Sequence, residues 1–327
     1  MTRYARQIAV PSLGADGHAR LRKAAVLVVG AGGLAAPVLQ YLGGAGVGRI
    51  TLVDPDRVDA SNLHRQTLFR GADIGAPKAE VAAAFVTALN PDCRVASVIA
   101  ALDPANAGAL CEGVDLVLDC ADAFAVSYIL SDTCQDVGLP LVSASVVGVE
   151  GYAGAFCGGG PSLRAVFPDL PERMGSCAED GVLGPAVGVI GALQAQMAMA
   201  LLGAVAPSPL GQIVTFDGHD FRFGGFRFES AAEPVHCPRF LASSSIRATD
   251  FLVDLRREDE APLVHPDAHR LPVAAFGPGG PAPGPGQRAV LCCRSGLRSW
   301  QAAERLGAVW DGEICLVALG DPGLGPH

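Results

Sequence analysis

The first half of the chain alternates short apolar runs with segments of helical composition. Residues 25–29 are all apolar and lead into a glycine-rich turn. Such a run is too short for a helix and is typical of a central strand in a parallel sheet. Further strands are predicted at 50–54, 94–99, 115–120 and 139–143, and helices at 34–43 and 78–89. This alternation predicts a doubly wound, Rossmann-like α/β fold that binds ligands at the carboxyl ends of its strands.

The pattern changes after residue 150. Residues 182–205 are mostly apolar but are interrupted by glycine, proline and glutamine, which favours a buried helix over a membrane span. A small, polar stretch then precedes strand-like residues 249–256. We therefore predict a first domain over 1–235, a linker over 236–246 and a smaller α/β domain over 247–327, with a Gly/Pro-rich loop at 277–286.

The 327 residues carry 24 Lys and Arg against 33 Asp and Glu, which gives a formal net charge of −9. Nucleic-acid binding depends on clustered cations, so this balance argues against a nucleic-acid partner. The first six residues lack the apolar core of a secretion signal, and the ten cysteines are scattered along the chain. We expect a cytoplasmic protein with no membrane anchor and no disulfide framework.

Candidate chemistry begins at the turn after the first strand. Gly30, Gly32 and Gly33 stand between a predicted strand and a predicted helix, where backbone amides and the helix N-terminus can hold a phosphate. Asp54 ends the second strand, where a carboxylate can accept hydrogen bonds from ribose hydroxyls. These features suit an NAD or FAD site as well as an ATP site, and the turn alone could be a simple tight connection.

The residues beyond Asp54 favour ATP. The polar and charged positions that follow the second strand include Asp56, Ser61, Asn62, Arg65 and Lys78. Two cations, Arg65 and Lys78, suit the charge of a triphosphate better than the bridging pyrophosphate of a dinucleotide. The alternative for each cation taken alone is a solvated surface charge.

Five sequence segments follow one another between residue 3 and about residue 228. They are Arg3-Tyr4-x-Arg6-Gln7, Gly-x-Gly-Gly-Leu, Asp-x-Asp-x-Val-x-x-Ser-Asn-Leu-x-Arg-Gln, Gly-x-x-Lys-Ala and Cys-Ala-Asp. In this order they resemble the MoeB/ThiF family of sulfur-carrier adenylyltransferases, bacterial relatives of ubiquitin-activating enzymes. The chain departs from the usual family pattern at Ala35, where the family has Gly, and at Ala123, where it has Asn.

The resemblance implies an ATP site and its catalytic residues. Gly30, Gly32 and Asp56 belong to the same predicted nucleotide site, and the residues implied to bind ATP directly are Gly33, Asp54, Ser61, Asn62, Arg65 and Lys78. Asp122 would hold Mg²⁺, and Arg6 would be lent across a homodimer interface to the γ-phosphate. Arg6, Arg65, Lys78 and Asp122 are thus the candidate catalytic residues, because a carboxylate that attacks the α-phosphorus needs the charge of ATP neutralised.

The implied activity is ATP-dependent adenylation of the C-terminal glycine of a small ubiquitin-like sulfur-carrier protein ending in Gly-Gly. One rival is an NAD-dependent oxidoreductase on the same fold. The other is a catalytically degenerate binding homologue, which the substitutions at Ala35 and Ala123 suggest. Nucleotide-dependent pyrophosphate exchange, in place of hydride transfer, would distinguish the adenylyltransferase from the oxidoreductase.

Members of this family usually carry a structural zinc bound by two Cys-x-x-Cys pairs. The corresponding positions here are Ser162, Ala165, Cys237 and Phe240. One thiolate cannot complete a tetrahedral site that needs four ligands. We therefore expect no zinc and interpret Cys237 as a small hydrophobic residue.

Cys177 is the first candidate for sulfur chemistry. By resemblance, it matches a thiol that relatives place in the loop crossing the adenylate site. There it could form an acyl-thioester or acyl-disulfide with the carrier's terminal glycine. The alternative is a buried loop thiol.

Cys293 is the second candidate, at the end of the apolar run 289–293 and before a short loop and a helix. Helix-terminal amides and the arginines Arg294 and Arg298 would favour a thiolate and stabilise a persulfide anion. This resembles the active loop of rhodanese-like sulfurtransferases and implies persulfide transfer to give a carrier thiocarboxylate, with a cysteine desulfurase as a candidate sulfur donor. Cys292 is expected to point into the core, by the alternation of strands.

Overall fold

The computed structural model describes residues 3–170, 180–235 and 237–320. The elements up to residue 166 are α1 (Ala5–Ile8), α2 (Gly14–Lys23), β1 (Ala25–Val29), α3 (Ala35–Ala45), β2 (Arg49–Val53), α4 (Lys78–Leu89), β3 (Arg94–Val98), α5 (Ala107–Cys111), β4 (Leu116–Asp119), α6 (Phe124–Val137), β5 (Pro140–Val147), β6 (Glu150–Cys157) and α7 (Leu163–Val166). The elements that follow are α8 (Gly184–Gly203), β7 (Gln212–Asp217), β8 (Arg222–Arg227), β9 (Arg239–Phe240), β10 (Phe251–Asp254), β11 (His269–Arg270), β12 (Ala289–Cys293), α9 (Leu297–Gly307) and β13 (Ile314–Ala318).

The first sheet has the strand order β3-β2-β1-β4-β5-β6-β7-β8. Strands β1 to β5 pair in parallel, and β5 to β8 pair antiparallel. The predicted α/β fold is confirmed, and the strands predicted at 50–54, 94–99, 115–120 and 139–143 correspond to β2, β3, β4 and β5. The chain leaves β1 toward β2 on one side and later returns to β4 on the other, so the carboxyl ends of β1 and β4 flank a crevice suited to a ligand.

Helix α8 forms where a buried apolar helix is predicted. It is long and apolar enough to cross a membrane, but half of its most apolar window is buried inside the protein, and it packs against α3, β5 and β6. Its Gln194 is fully buried, and Nε2 donates to the carbonyl oxygens of Asp119 at 2.7 Å and Val142 at 3.0 Å. The helix therefore holds the carboxyl end of β4 against β5.

The second sheet is parallel throughout, with the order β11-β10-β12-β13-β9. Its edge strand β9 comes from segment 236–246, which the sequence predicts as a linker. That segment also contains apolar side chains, and one of them, Phe240, is buried and lies opposite Leu316 in the pairing of β9 with β13. The buried ring and the backbone pairing of β9 with β13 join the segment to the sheet.

Helix α6 lies between the two sheets. It packs against β4 and β5 of the first sheet and against β9 of the second. The ring of Tyr128 lies 4.9 Å from that of Trp300, and the ring of Phe124 lies 6.2 Å from that of Phe240, centroid to centroid. One hydrophobic cluster contains buried side chains from both sheets, so the C-terminal part of the chain packs directly on α6.

Candidate active site

The glycine-rich turn begins directly after β1, at the crevice. Gly30 has φ +92°, and a Cβ atom there would lie 2.7 Å from the carbonyl oxygen of Cys120, so only glycine fits this approach of β1 to β4. A Cβ atom on Gly32 would lie 3.7 Å from Nε2 of Gln66, and one on Gly33 would lie 3.3 Å from the carbonyl oxygen of Arg65. The turn is therefore enclosed by the segment before Asp122 on one side and by residues 65–66 on the other.

Asp54, predicted to meet a ribose, is buried and bonded to the turn itself. Its Oδ2 accepts from the backbone N–H of Ala31 at 2.6 Å, and its Oδ1 accepts from that of Asp56 at 2.7 Å. Burial raises the pKa of the Asp54 carboxyl group, while these two backbone bonds act in the opposite direction. Asp54 thus fixes the glycine turn to the end of β2.

The two predicted cations each contact a predicted polar partner. Nζ of Lys78 lies 2.8 Å from Oδ2 of Asp56, and the lysine side chain is only 7% exposed. Nη2 of Arg65 donates to Oδ1 of Asn62 at 2.7 Å. Lys78 is therefore not a solvated surface charge: its buried ammonium faces one carboxylate and stands at the start of α4.

Ser61 occupies a short 3-10 turn over Ala60–Asn62 on the exposed side of this region. Its backbone N–H and its hydroxyl both donate to Oδ1 of Asp59, at 2.8 and 2.5 Å. These bonds lower the pKa of the Asp59 carboxyl group. The structure therefore holds Ser61 by a neighbouring carboxylate that the sequence analysis did not single out.

Asp122, the predicted metal ligand, is exposed just beyond β4. Beneath it Asp119 is fully buried, with Oδ2 accepting from the hydroxyl of Ser143 at 2.7 Å and Oδ1 accepting from the N–H of Ala121 at 3.2 Å. Burial raises the pKa of Asp119 to about 6. Asp119 shapes the connection that presents Asp122 at the crevice.

Among the described residues, no three His, Cys, Asp or Glu side chains are grouped closely enough to hold a metal ion by themselves. The single carboxylate of Asp122 nevertheless suits Mg²⁺, which binds through one or two protein carboxylates together with substrate phosphates and water. The donor set at the crevice therefore fits a magnesium–nucleotide complex rather than a metal caged by protein.

Gln66 is a residue of this region that the sequence analysis did not list as a site residue. It is buried beside Gly32, and within the described ranges its Oε1 has no hydrogen-bond partner. A buried acceptor without a partner is uncommon in folded proteins, and it marks Gln66 as a candidate ligand-facing group. The available signal was its position directly after Arg65 in the family-like segment.

Arg6 does not join this group within its own chain. It is exposed on α1, next to Tyr4 and Gln7. The hydroxyl of Tyr4 accepts from Nδ2 of Asn90 at 2.9 Å, and Nε2 of Gln7 donates to the carbonyl oxygen of Ala45 at 3.1 Å. Both contacts lie where α3 and α4 end, near the amino ends of the strands that follow them, whereas the glycine turn follows the carboxyl end of β1.

Polar contacts surround Ser162, the first of the four positions where relatives carry a zinc-binding cysteine. The N–H and the hydroxyl of Ser162 donate to the carboxylate of Glu233 at 2.7 and 2.5 Å. Arg164, two residues on, is buried and pairs with Asp132 through two hydrogen bonds of 2.6 and 2.9 Å. Cys237 is partly exposed nearby. Ala165 lies in α7, and Phe240 is buried in β9.

Cys293 ends β12, and its sulfur accepts backbone N–H groups from Gly296 at 3.1 Å and Ser299 at 3.4 Å. The amide cradle expected from the sequence is present, but the residue is 0% exposed, which the sequence did not indicate. A Cβ atom on Gly296 would lie 2.8 Å from the ring of Phe240 and 3.3 Å from that of Phe124. These two rings cover the loop.

Arg298 and Cys292 flank Cys293 and differ in their surroundings. The guanidinium of Arg298 forms an ion pair with Glu260 at 2.7 Å and donates to the carbonyl oxygen of Leu255 at 3.0 Å. Cys292 is buried on the other face of β12, as predicted, and burial raises the pKa of its thiol. Cys177, the other sulfur candidate, lies outside the described residues.

The chain is similar to proteins of known family. Residues 4–238 match the ThiF family. The adenylyltransferase and sulfurtransferase UBA4 of Yarrowia lipolytica is 46% identical over 206 residues, which are 62% of this chain and 52% of that protein. The SAMP-activating enzyme E1 of Haloferax volcanii is 42% identical over 225 residues, which are 68% of this chain and 83% of that enzyme.

Among solved structures, E. coli MccB with MccA-N7isoASN is similar, with a TM-score of 0.64 and 21% identity over 72% of this chain and 74% of that chain. At that identity the likeness shows the fold alone. The chain spans about half the length of UBA4.

Proposed function

Since the chain belongs to the ThiF family, we propose that it uses ATP to adenylate the C-terminal glycine of a small ubiquitin-like sulfur-carrier protein ending in Gly-Gly. The observation that carries the proposal is the convergence at one crevice of the glycine turn, the buried Lys78–Asp56 pair, the Arg65–Asn62 contact and the exposed Asp122. A dinucleotide oxidoreductase has no need of two cations and an additional carboxylate beyond its glycine turn.

The proposed roles follow from charge and position. The backbone amides of Gly32 and Gly33 would face the phosphates. The N–H of Gly30 donates to the carbonyl oxygen of Val53 at 2.8 Å, so Gly30 would contribute the close approach of the turn to β4, and Asp54 would hold the turn in register. Lys78 and Arg65 would exchange their present partners for phosphate oxygens, with Asp56, Ser61 and Asn62 lining the same site. Mg²⁺, held by Asp122, would supply charge neutralisation as the carrier's carboxylate attacks the α-phosphorus and pyrophosphate leaves.

A protein substrate also fits the surface of the first sheet. Among the described residues no strand pairs with the outer side of its edge strand β8, and Phe223 and Phe226 on it are more than half exposed, as is Phe221 just before it. Exposed apolar rings on an edge strand favour pairing with another polypeptide. We propose this surface as the docking place of the carrier.

The second part of the proposal concerns sulfur. The amide cradle at Cys293 can stabilise a persulfide anion, whose terminal sulfur would attack the carrier's acyl-adenylate and displace AMP to leave an acyl-disulfide. Cys177 is proposed to attack the Cys293 sulfur of that acyl-disulfide, so that the acyl S–S bond breaks, the carrier thiocarboxylate leaves and a Cys177–Cys293 disulfide forms. An external thiol would reduce that disulfide before the next turnover. The same proposal includes a first domain that ends at residue 235 and a second that begins at residue 247. It also places the protein in the cytoplasm, where a cysteine desulfurase would supply sulfur.

The decisive experiment is pyrophosphate exchange with ATP, Mg²⁺ and a Gly-Gly carrier. Asp122→Ala and Arg65→Ala should each lower the rate by at least about 100-fold, as expected on removing one charge contact to the transition state. Asp16→Ala, which removes an exposed carboxylate of α2, is the matched control and should retain the wild-type rate. Wild-type exchange in both site variants, or hydride transfer in place of exchange, would refute the assignment.

The proposed homodimer is tested by complementation. Arg6→Ala and Asp122→Ala chains, each inactive alone, should regain part of the exchange activity when mixed, because a hybrid dimer would contain one site with both groups intact. If subunits exchange and the mixture stays inactive, Arg6 acts within its own chain or not at all.

A further inference from the structure

Arg164 has an unusual environment beside α6. It is 4% exposed, its Nε and Nη2 are paired with Asp132, and its guanidinium carbon lies 4.9 Å from the ring centroid of Tyr128 and 5.4 Å from that of Trp300. Its Nη1, by contrast, is buried without a hydrogen-bond partner anywhere in the described chain. A buried donor left unpaired is destabilising, so this position is suited to an acceptor that is not always present.

The sulfur of Cys237 lies close to this guanidinium. Burial would lower the pKa of Arg164, but its hydrogen bonds to Asp132 and the negative charge of the nearby Cys237 sulfur together raise it. Nine cysteines fall in the described ranges, and Cys237 is the one among them that is not buried. A reagent or protein arriving from solution therefore meets this thiol, whereas the cradled sulfur of Cys293 is covered.

We propose that Cys237 is a sulfur-accepting thiol, and that Nη1 of Arg164 holds the persulfide anion formed on it. The donor is a persulfide, R–S–SH. The Cys237 thiolate attacks the terminal sulfur of the donor, a new S–S bond forms, the donor's S–S bond breaks, and R–S⁻ leaves and takes up the proton given up by Cys237. Thiol and persulfide exchange one sulfur atom, so no external oxidant or reductant is consumed.

Charge and geometry support this assignment over the other described thiols. The terminal sulfur of a persulfide extends one bond beyond Sγ, so it gives Nη1 an anionic acceptor, and a hydrogen bond to a charged group is stronger than a neutral one. The aromatic rings of Tyr128 and Trp300 and the carboxylate of Asp132 hold the guanidinium in place, so the donor direction is set before sulfur arrives. Cys237 would receive sulfur at the surface, on the same aromatic cluster that reaches α9 behind Cys293.

The test uses the whole protein and glutathione persulfide, with thiols trapped by alkylation and each cysteine assigned by mass spectrometry. We expect sulfur to appear on Cys237 at least about 10-fold faster than on Cys293, a difference that corresponds to roughly 1.4 kcal/mol. Arg164→Lys keeps the charge but loses the guanidinium fork, and it should lower persulfide on Cys237 at least about 5-fold, in keeping with the loss of one charge-assisted bond. Alkylation of the unloaded Cys237 thiol should change less than about twofold, since exposure stays the same.

The matched control is Arg239→Lys. It alters an exposed arginine that stands two residues after Cys237 and pairs with Asp136, and it should leave the loading of Cys237 unchanged. Equal loading of Cys237 and Cys293 in the wild type, or an undiminished signal in a folded Arg164→Lys protein, would overturn the proposal. If Arg164→Lys fails to fold, the wild-type ratio of the two sites decides by itself. The inference rests on the proposed sulfur chemistry but not on adenylation: Cys237→Ser should lose loading and retain pyrophosphate exchange.

Discussion

Two turns of the same local design stand at opposite ends of the chain. The turn after β1 and the turn after β12 each follow a strand that pairs in parallel with both of its neighbours. Each turn contains a left-handed glycine (Gly30 at φ +92° and Gly296 at φ +91°) and leads into a helix. The first turn opens onto a crevice where Asp122 is exposed, whereas the second turn encloses the fully buried sulfur of Cys293 under two phenylalanine rings. The backbone makes a pocket of amides in both places, but what covers that pocket comes from elsewhere in the chain.

The largest expected effect comes from placing the same methyl group in both turns. Gly30→Ala would force a Cβ atom against the backbone of Cys120, and Gly296→Ala would force one against rings that can move. We expect a loss of about 4 kcal/mol in the free energy of unfolding for Gly30→Ala and about 2 kcal/mol for Gly296→Ala, from left-handed strain plus overpacking. Urea unfolding measures both, and Gly71→Ala, where nothing lies within 4 Å, is the control. Equal losses would mean that the two turns are equally confined.

The second prediction separates the chemistry of the turns. Lys78→Ala removes the buried cation beside the open turn and should lower pyrophosphate exchange at least about 100-fold. The rate at which a maleimide labels Cys293 should not change, because no contact of Lys78 reaches β12. Lys23→Ala, on the exposed end of α2, is the control. Parallel changes in both readouts would show that the turns are coupled.

The third prediction concerns the ring of Phe240, which covers the turn after β12. Phe240→Ala should raise the maleimide labelling rate of Cys293 about 10-fold, because removing a cover worth roughly 1.4 kcal/mol makes the open form that much more populated. Phe240→Leu, which refills most of the space, should raise it less. Phe226→Ala, an exposed ring on β8, should leave it unaltered. An unchanged rate in a folded Phe240→Ala protein would identify a different cover.

The smallest effect concerns the carboxyl group beneath the open turn. Asp119 has a pKa raised by burial to about 6, above its ordinary value, so the folded state binds its proton more tightly than the unfolded state. Stability from this group is present at low pH and is lost as pH rises through the folded pKa. Between about pH 5 and pH 6 the wild type should lose roughly 1 kcal/mol relative to Asp119→Asn, from 1.4 kcal/mol per pH unit while the group titrates. Chemical unfolding across that range tests it, and parallel curves would show that Asp119 does not titrate there.

The sequence predicted well those features that depend on neighbouring residues. The apolar run 25–29, the glycine turn behind it and the carboxylate ending the next strand place a crevice between β1 and β4, and the structure has it there. The apolar helix over 184–203 was equally clear, because glycine and glutamine interrupt it as they do in a packed helix. Periodicity and turn chemistry act over a few residues, so they can be read without a structure.

Features that depend on distant residues could not be predicted in this way. The rings that cover Cys293 come from Phe124 and Phe240, and the sequence around residue 293 does not indicate them. Phe240 itself lies in a stretch whose composition indicates a linker. The contact of Arg164 with Tyr128 and Trp300 likewise joins three separate parts of the chain. Burial of a site residue is a property of tertiary packing, and the local pattern carries only the backbone that prepares it.

The position of α6 between the sheets has a consequence for how the molecule unfolds. Tyr128 and Phe124 extend from α6 and pack against Trp300 of α9 and Phe240 of β9, so the two halves of the molecule share one layer of hydrophobic core. Separating them would expose aromatic surface on both sides, at a cost of about 25 cal/mol for each Å². We therefore expect the two halves to unfold in one cooperative transition, and replacing either half with a foreign domain would leave the aromatic face of the other half exposed.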